Sequence, residues 1–248
     1  MRWADRIFVL DNGSTDDTWE IVNSLSGDQV VPWKQDFRPF HNTMRAEVFE
    51  AFRHEAEPDD WWCHRLDGDE FYVDDPRGFL SAVPRGYHVV YKRSIEYTLA
   101  KEDVEEYDFT GDFSQDREKI RHFYPVAHVE RRFFRYRRRF SWPTHVETPR
   151  HMGVAFPKAI TVRHFPRRSP QQIQKRLEAR QAVPKDGRGK PFRHVTEDHW
   201  TETLLPREEL LYDDGTIDLT SIPLKRGFLP PAHVQLWRKL LYGARILP

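Results

Sequence analysis

Apolar positions alternate with polar ones in a few short stretches of the chain and recur at helical spacing in others. Arg6–Leu10 is β-rich and runs into Asp11-Asn12-Gly13-Ser14, a turn signal. Thr15-Asp16-Asp17-Thr18 supplies helix-entry residues, and Trp19, Val22 and Leu25 hold helical spacing as far as Ser26-Gly27. The first unit is therefore predicted as strand, tight turn, helix. A second helix is predicted from about Thr43 to Glu57, with Met44, Val48 and Phe52 on one face and Pro58 as its stop. Trp61–Leu66 reads as a short buried strand leading straight into Asp67-Gly68-Asp69-Glu70-Phe71, and His88–Arg93 reads as another strand. This alternation predicts an α/β fold with a mainly parallel sheet.

Thr98–Phe123 is weakly patterned and polar, which predicts a long excursion or lid. Val129–Trp142 is expected to form a strand or hairpin, and Ala159–His164 a further strand. Ser169 stands at N-cap, Pro170 at N1 and Gln172 at N3 of a predicted helix whose buried face carries Ile173 and Leu177. Lys185–Pro191 reads as a flexible loop. Val234–Leu241 reads as a short basic amphipathic helix. Its Val234, Trp237, Leu240 and Leu241 stripe is expected to pack on the core, with a membrane surface as the alternative.

Composition narrows the class. A length of 248 residues suits one elaborated domain or two. Aromatic residues make up 14% of the chain, which excludes wholesale disorder. No stretch approaches the roughly 20 apolar residues of a membrane span, and no basic then apolar leader opens the chain. The single cysteine, Cys63, excludes an internal disulfide and a cysteine-based zinc site. A cytoplasmic location is expected, with a peripheral seat on the inner face of the membrane as a variant of it. Lys+Arg and Asp+Glu both number 39, so net charge indicates no partner. Glu96–Asp116 is acid-rich, and Arg131–Arg139 holds six arginines in nine positions. These interleave with Phe133, Phe134, Tyr136 and Phe140, the pattern of one or two strands with a solvated basic face. A nucleic-acid module would explain neither acidic motif, so no nucleic-acid partner is expected.

The sharpest chemistry lies in Asp67-Gly68-Asp69-Glu70. Carboxylates at a strand end converge where α/β sheets bind ligands. Their hard oxygens suit Mg²⁺ or Mn²⁺, ions held through one or two carboxylates plus substrate phosphates. An EF-hand fails, because its sixth and twelfth positions fall on Tyr72 and Gly78.

Asp11–Thr18 resembles the second-strand signature of glycosyltransferase family 2. Leu66–Phe71 resembles the motif of its Asp-x-Asp-Glu-Phe subgroup, and His164–Gln172 is similar to that subgroup's His-Tyr…Arg-Ser tail. The likeness covers residues 5–75 firmly and 120–180 more loosely. It implies a GT-A fold, a Rossmann-like mixed sheet flanked by helices, over residues 1–183. Residues 184–248 would form a less regular helical extension packing on it. The activity implied is metal-dependent transfer of a sugar from a nucleotide-diphosphate donor to a glycan or lipid-linked acceptor. A catalytically inactive relative acting as a binding or scaffold module is the alternative. On this likeness Asp11 and Asn12 contact the nucleotide base, helped by Arg45. Asp67 faces ribose or metal, and Asp69 and His164 ligate Mn²⁺ or Mg²⁺. Arg167 and Arg168, ahead of a helix N-terminus, hold the diphosphate. An inverting transfer needs a base, and Glu147 or His145 in Trp142–Glu147 lies where the family carries it; on a strand the two would share a face. The family's additional first strand and helix have no counterpart in the ten residues before Asp11. An open sheet edge and self-association are expected in consequence.

Overall fold

The computed structural model describes residues 3–181, 196–244 and 246–247, so the loop expected at Lys185–Pro191 lies outside the described residues. The chain is mixed α/β, with a seven-stranded sheet, a separate two-stranded sheet and helices packed around them.

The opening unit forms as expected: β1 (Ile7–Asp11), a turn, then α1 (Thr18–Ser24). The turn needs Gly13, which adopts φ +71°, and a Cβ there would lie 3.1 Å from the Phe37 ring. Parallel pairing with β2 (Val30–Gln35) completes the small sheet. No residue of α1 is buried, and Leu25, expected on its inner face, is exposed. The second helix, α2 (Met44–Phe52), ends in a 3₁₀ turn before Pro58. Its buried residues are Met44, Ala46 and Phe49, so the inner face is turned from the expected Val48–Phe52 side toward Phe49. Phe49 packs among Trp62, Phe134, Phe140 and Trp142.

The expected strand Trp61–Leu66 is shorter. β3 spans Trp61–Cys63, and a second strand, β4 (Glu70–Tyr72), follows the Asp67–Asp69 turn. After α3 (Pro76–Ser81) comes the central strand β5 (Val89–Thr98). Antiparallel to it runs β7 (His128–Arg135), and parallel to it runs β8 (Ala155–His164). β3 lies antiparallel on the far side of β7, and β4 antiparallel on the far side of β8. The C-terminal end of β5 pairs with β6 (His122–Phe123), which pairs with β9 (Leu211–Tyr212). Among the described residues two of these pairings are parallel and five antiparallel. The mainly parallel sheet is thus corrected to a mixed one. Strands joined without a crossover connection run antiparallel, and among the described residues only the β5–β8 pair of the large sheet is parallel.

Two further expectations change. Residues 98–123 form no lid. They fold as α4 (Lys101–Glu106), α5 (Phe113–Asp116) and short turns, and bury Leu99 and Ile120. Leu204, Leu219 and Ile222 share that core, so the C-terminal extension packs into the sheet's end. The Arg131–Arg139 block is a solvated face only in part: Arg131, Arg138 and Arg139 are exposed, but Arg132 is 0% and Arg135 7% exposed. Arg135 donates to backbone carbonyls of Tyr87 and Val83 at 2.9 and 2.7 Å. Tyr136–Trp142 adds no second strand. α6 (Pro170–Gln181) starts as expected, with Gln172 N donating to Ser169 Oγ at 3.2 Å. The reciprocal side-chain bond falls one residue upstream, from Arg168 N to Gln172 Oε1 at 3.2 Å. α7 (Ala232–Gly243) buries no residue fully: of its apolar stripe Val234 and Leu241 are half-buried, whereas Trp237 and Leu240 are exposed, which corrects the core-packing expectation for those two. Among the described residues no helix is long and apolar enough to cross a membrane.

Candidate functional site

The site is built on one row of the sheet. Across β4, β8 and β5, Glu70 pairs with His164 and His164 pairs with Glu96. Partners in a row project from the same face. Four residues back along β5, on the same face, Lys92 pairs with Glu130 of β7. A strongly polar face therefore lies beneath the Asp67–Asp69 turn.

Buried charge holds that turn. The Glu70 side chain is inaccessible; it accepts from Lys92 and, at 2.6 Å, from Arg132. Lys92 also meets Glu130 at 2.6 Å. Burial works to raise the Glu130 carboxyl, but Lys92 and Arg65 outweigh it and bring its pKa down to about 2. Arg65 bridges Glu130 and Asp67, each at 3.0 Å. The Asp69 carbonyl accepts from Phe165 N at 2.9 Å, tying the turn to the end of β8.

At the end of this row Asp69 Oδ1 lies 3.5 Å from His164 Nε2, and Asp69 Oδ2 lies 3.7 Å from Arg176 of α6. The other ring nitrogen of His164 faces Glu96 at 3.8 Å, beyond hydrogen-bond length, and has no hydrogen-bond partner. Burial works to lower the His164 pKa, yet Asp69 and Glu96 push it up to about 9. Burial likewise works to raise Asp69, and His164 and Arg176 hold it below the usual carboxylate range. Arg168, just ahead of α6, has a buried Nε without a partner. Among the described residues no group of three or more His, Cys, Asp or Glu side chains is arranged to hold a metal ion unaided.

A pocket of about 460 Å³ opens on the other side of Arg65. Arg45, from the first turn of α2, and Glu147 line it. Glu147 accepts from Asn42 Nδ2 at 3.3 Å and lies 3.6 Å from His41 Nε2. The Arg45 guanidinium donates to the Asn42 side chain; burial and the neighbouring Arg65 lower its pKa. Tyr91 reaches the pocket from a β-bulge in β5, a device that re-aims a side chain.

The expected site residues thus fall into three groups. Asp69 and His164 come together with Arg176 from the middle of α6, and Asp67 is joined to them along the turn, whereas among the described residues Arg168 makes no ion pair or hydrogen bond with them. Arg45 and Glu147 meet at the pocket. Asp11 and Asn12 stand on the small sheet and are engaged there. Asp11 accepts from Ser14 N and Gln35 Nε2, both at 3.1 Å, and Asn12 donates to the carbonyls of Asp36 and Arg38 at 2.6 and 2.8 Å. Burial works to raise the Asp11 pKa, and these bonds from Ser14 and Gln35 lower it. His145 sits exposed in a turn and does not line the pocket; Trp142–Glu147 is not a strand, so the expected shared face does not form. Sequence reading passed over Glu96, Arg176, Lys92 and Arg65. Of these only Arg65 had a local signal, two residues before Asp67. The others arrive through strand register and helix docking.

Comparison of the chain with family models, curated proteins and solved structures found no match.

Proposed function

We propose that the chain is a glycosyltransferase that moves a sugar from a nucleotide-diphosphate donor to a hydroxyl acceptor with the help of a divalent cation. The observation that carries this reading is the meeting of Asp69 and His164 at the end of one sheet row, with Arg176 of α6 against the same carboxylate. One carboxylate and one imidazole form an oxygen-plus-nitrogen donor set that fits Mn²⁺, provided donor phosphates complete the shell. Asp69 and His164 would hold the cation and Asp67 would assist; bound there, it neutralises charge on the departing diphosphate. Arg168 and Arg176 add fixed positive charge where that anion develops. Glu147 accepts the acceptor's hydroxyl proton. The acceptor oxygen bonds to the sugar's anomeric carbon, and the anomeric carbon–oxygen bond breaks with its electron pair leaving on the nucleoside diphosphate. Asp11 and Asn12 frame the base from the small sheet.

A donor-panel hydrolysis and calorimetry screen with and without Mn²⁺ tests this. Mn²⁺-dependent binding of one nucleotide sugar that is lost in Asp69→Asn is expected. The second reading, a binding module without catalysis, is favoured by one observation: Asp69 is already paired with His164 and Arg176. Donor binding that is indifferent to both Mn²⁺ and Asp69→Asn would select it.

A further inference from the structure

The pocket beside Arg65 holds more positive charge than its walls neutralise. Arg65 is matched by Asp67 and Glu130. Glu130 is in turn committed to Lys92 and lies 3.5 Å from Arg132. Three other arginines line the same pocket from separate parts of the chain: Arg45 on α2, Arg131 on β7 and Arg226 in the loop before α7. Arg45 donates to a neutral amide, and Arg131 Nε to the neutral Tyr91 hydroxyl at 3.3 Å. Among the described residues none of the three has a carboxylate within ion-pair distance. Glu147, the remaining acid on the wall, is placed against Asn42 and His41 instead.

Like charges converging without counter-charge are held at a cost, which a multidentate oxyanion removes. Guanidinium forks match phosphate and carboxylate in geometry as well as sign. The pocket also has an apolar side: the Tyr91 and Phe228 rings lie 5.2 Å apart and both line it. An aromatic wall beside fixed donors is the make-up of a site for a small ring-bearing ligand, and about 460 Å³ is ample for a sugar with a charged substituent.

We propose that this pocket binds an acidic sugar, gripping its phosphate or carboxylate with Arg45, Arg131 and Arg226 and laying its ring on Tyr91 and Phe228. Resting on the glycosyltransferase reading, that sugar is the acceptor, with its hydroxyl presented toward Glu147.

The test uses the full chain and three probes: glucose 6-phosphate, glucuronate and glucose, titrated by calorimetry and by ligand-observed NMR. The two anions should bind competitively and more weakly as salt rises, with glucose at least about tenfold weaker. The double variant Arg131→Gln/Arg226→Gln should weaken the anions by about tenfold or more. Both side chains are exposed, so its circular dichroism and melting should match the parent chain. Its affinity for a nucleoside diphosphate with Mn²⁺ should not change. Failure of both anions to bind overturns the proposal. So does parallel loss of nucleoside diphosphate affinity in the variant, which would make the pocket the seat of the donor's phosphates. Anion binding that depends on the arginines in a chain that binds no nucleotide sugar upholds the pocket's ligand class and overturns only the acceptor role.

Discussion

His164 carries a carboxylate on each side of its ring, Asp69 at 3.5 Å and Glu96 at 3.8 Å. Burial alone would depress its pKa, so the rise from 6.5 to about 9 measures how strongly the two acids act on it. A group whose pKa is raised on folding stabilises fully below its unfolded value and loses that contribution as pH climbs through the folded one. Melting temperature should therefore fall between about pH 6.5 and 9, and Asp69→Asn should flatten that decline. The imidazole resonance should titrate near 9 in the parent chain and closer to its ordinary value in the variant. Adding Mn²⁺ should release a proton near neutral pH, because only the neutral ring coordinates. An imidazole titrating at its ordinary pKa in the parent chain would remove the argument. One strand over, Glu70 anchors the same turn by a different device, as the sole fully buried carboxylate among Lys92, Arg132 and Glu130. Glu70→Gln leaves Lys92 and Arg132 short of counter-charge and should cost on the order of 3–5 kcal/mol by denaturant unfolding. Glu147→Gln, exposed at the pocket, should leave unfolding unchanged within about 0.5 kcal/mol while abolishing transfer. A comparable loss of stability in both variants would contradict this division between anchor and base.

At the scale of elements, local chemistry was legible and long-range register was not. The β1–turn–α1 unit, the start of α6 and the existence of α7 follow from caps, glycines and spacing within a dozen residues. β4 was hidden because three residues make no pattern; only its pairing with β8 makes it a strand. The same pairing brings His164 to Asp69, so the tail motif pointed to a histidine that meets Asp69, while the geometry depended on a strand the pattern could not reveal. Arg226 escaped notice for a similar reason, and Arg131 was legible only as one end of a basic block, since a pocket wall assembled from β7 and a distant loop leaves no joint pattern in either segment. Residues 98–123 misled in the opposite direction, because their polarity reads as solvent exposure. Asp103 and Asp116 are both fully buried there, as bracing acceptors. Asp103 accepts from Ala100 N at 2.8 Å, faces His122 Nδ1 at 2.9 Å and binds Arg207 at 2.9 Å. It thereby joins α4, β6 and the C-terminal segment. Asp103→Ala strands those donors and should lower stability by about 2–4 kcal/mol. Because Arg207 lies far along the chain, the loss should appear as earlier hydrogen exchange in both segments. Exchange confined to α4 would show that the brace is local.

At the scale of the whole molecule, one surface stands out. α7 faces the body of the protein through polar contacts. Gln235 exchanges hydrogen bonds with the Ala155 backbone at 3.2 and 3.0 Å, and Arg238 donates to the Gly153 carbonyl at 3.3 Å. Val234, Leu241 and Tyr242 are half-buried beside these contacts, but three other apolar residues point outward: Leu236, Trp237 and Leu240 are 59%, 62% and 55% exposed. Lys239 stands beside them, and Ile246 beyond the helix end is exposed as well. A docked helix that turns a row of large apolar side chains outward beside a cation has the layout of an interfacial helix. Moving each half-exposed side chain out of water yields roughly 1 kcal/mol, and each nearby cation about as much again at an anionic surface. Attachment of that size is reversible and salt-sensitive. The chain is therefore expected to float with vesicles containing phosphatidylglycerol and to stay in solution with pure phosphatidylcholine vesicles. Leu236→Gln/Trp237→Gln/Leu240→Gln should abolish flotation without changing the helix content, since none of the three side chains is buried. The Trp237 fluorescence should shift to the blue on binding. The competing occupant of this face is a second copy of the chain, and sedimentation separates the two. A parent chain that self-associates without vesicles, and a triple variant that is monomeric, would assign the surface to a dimer and overturn the membrane prediction.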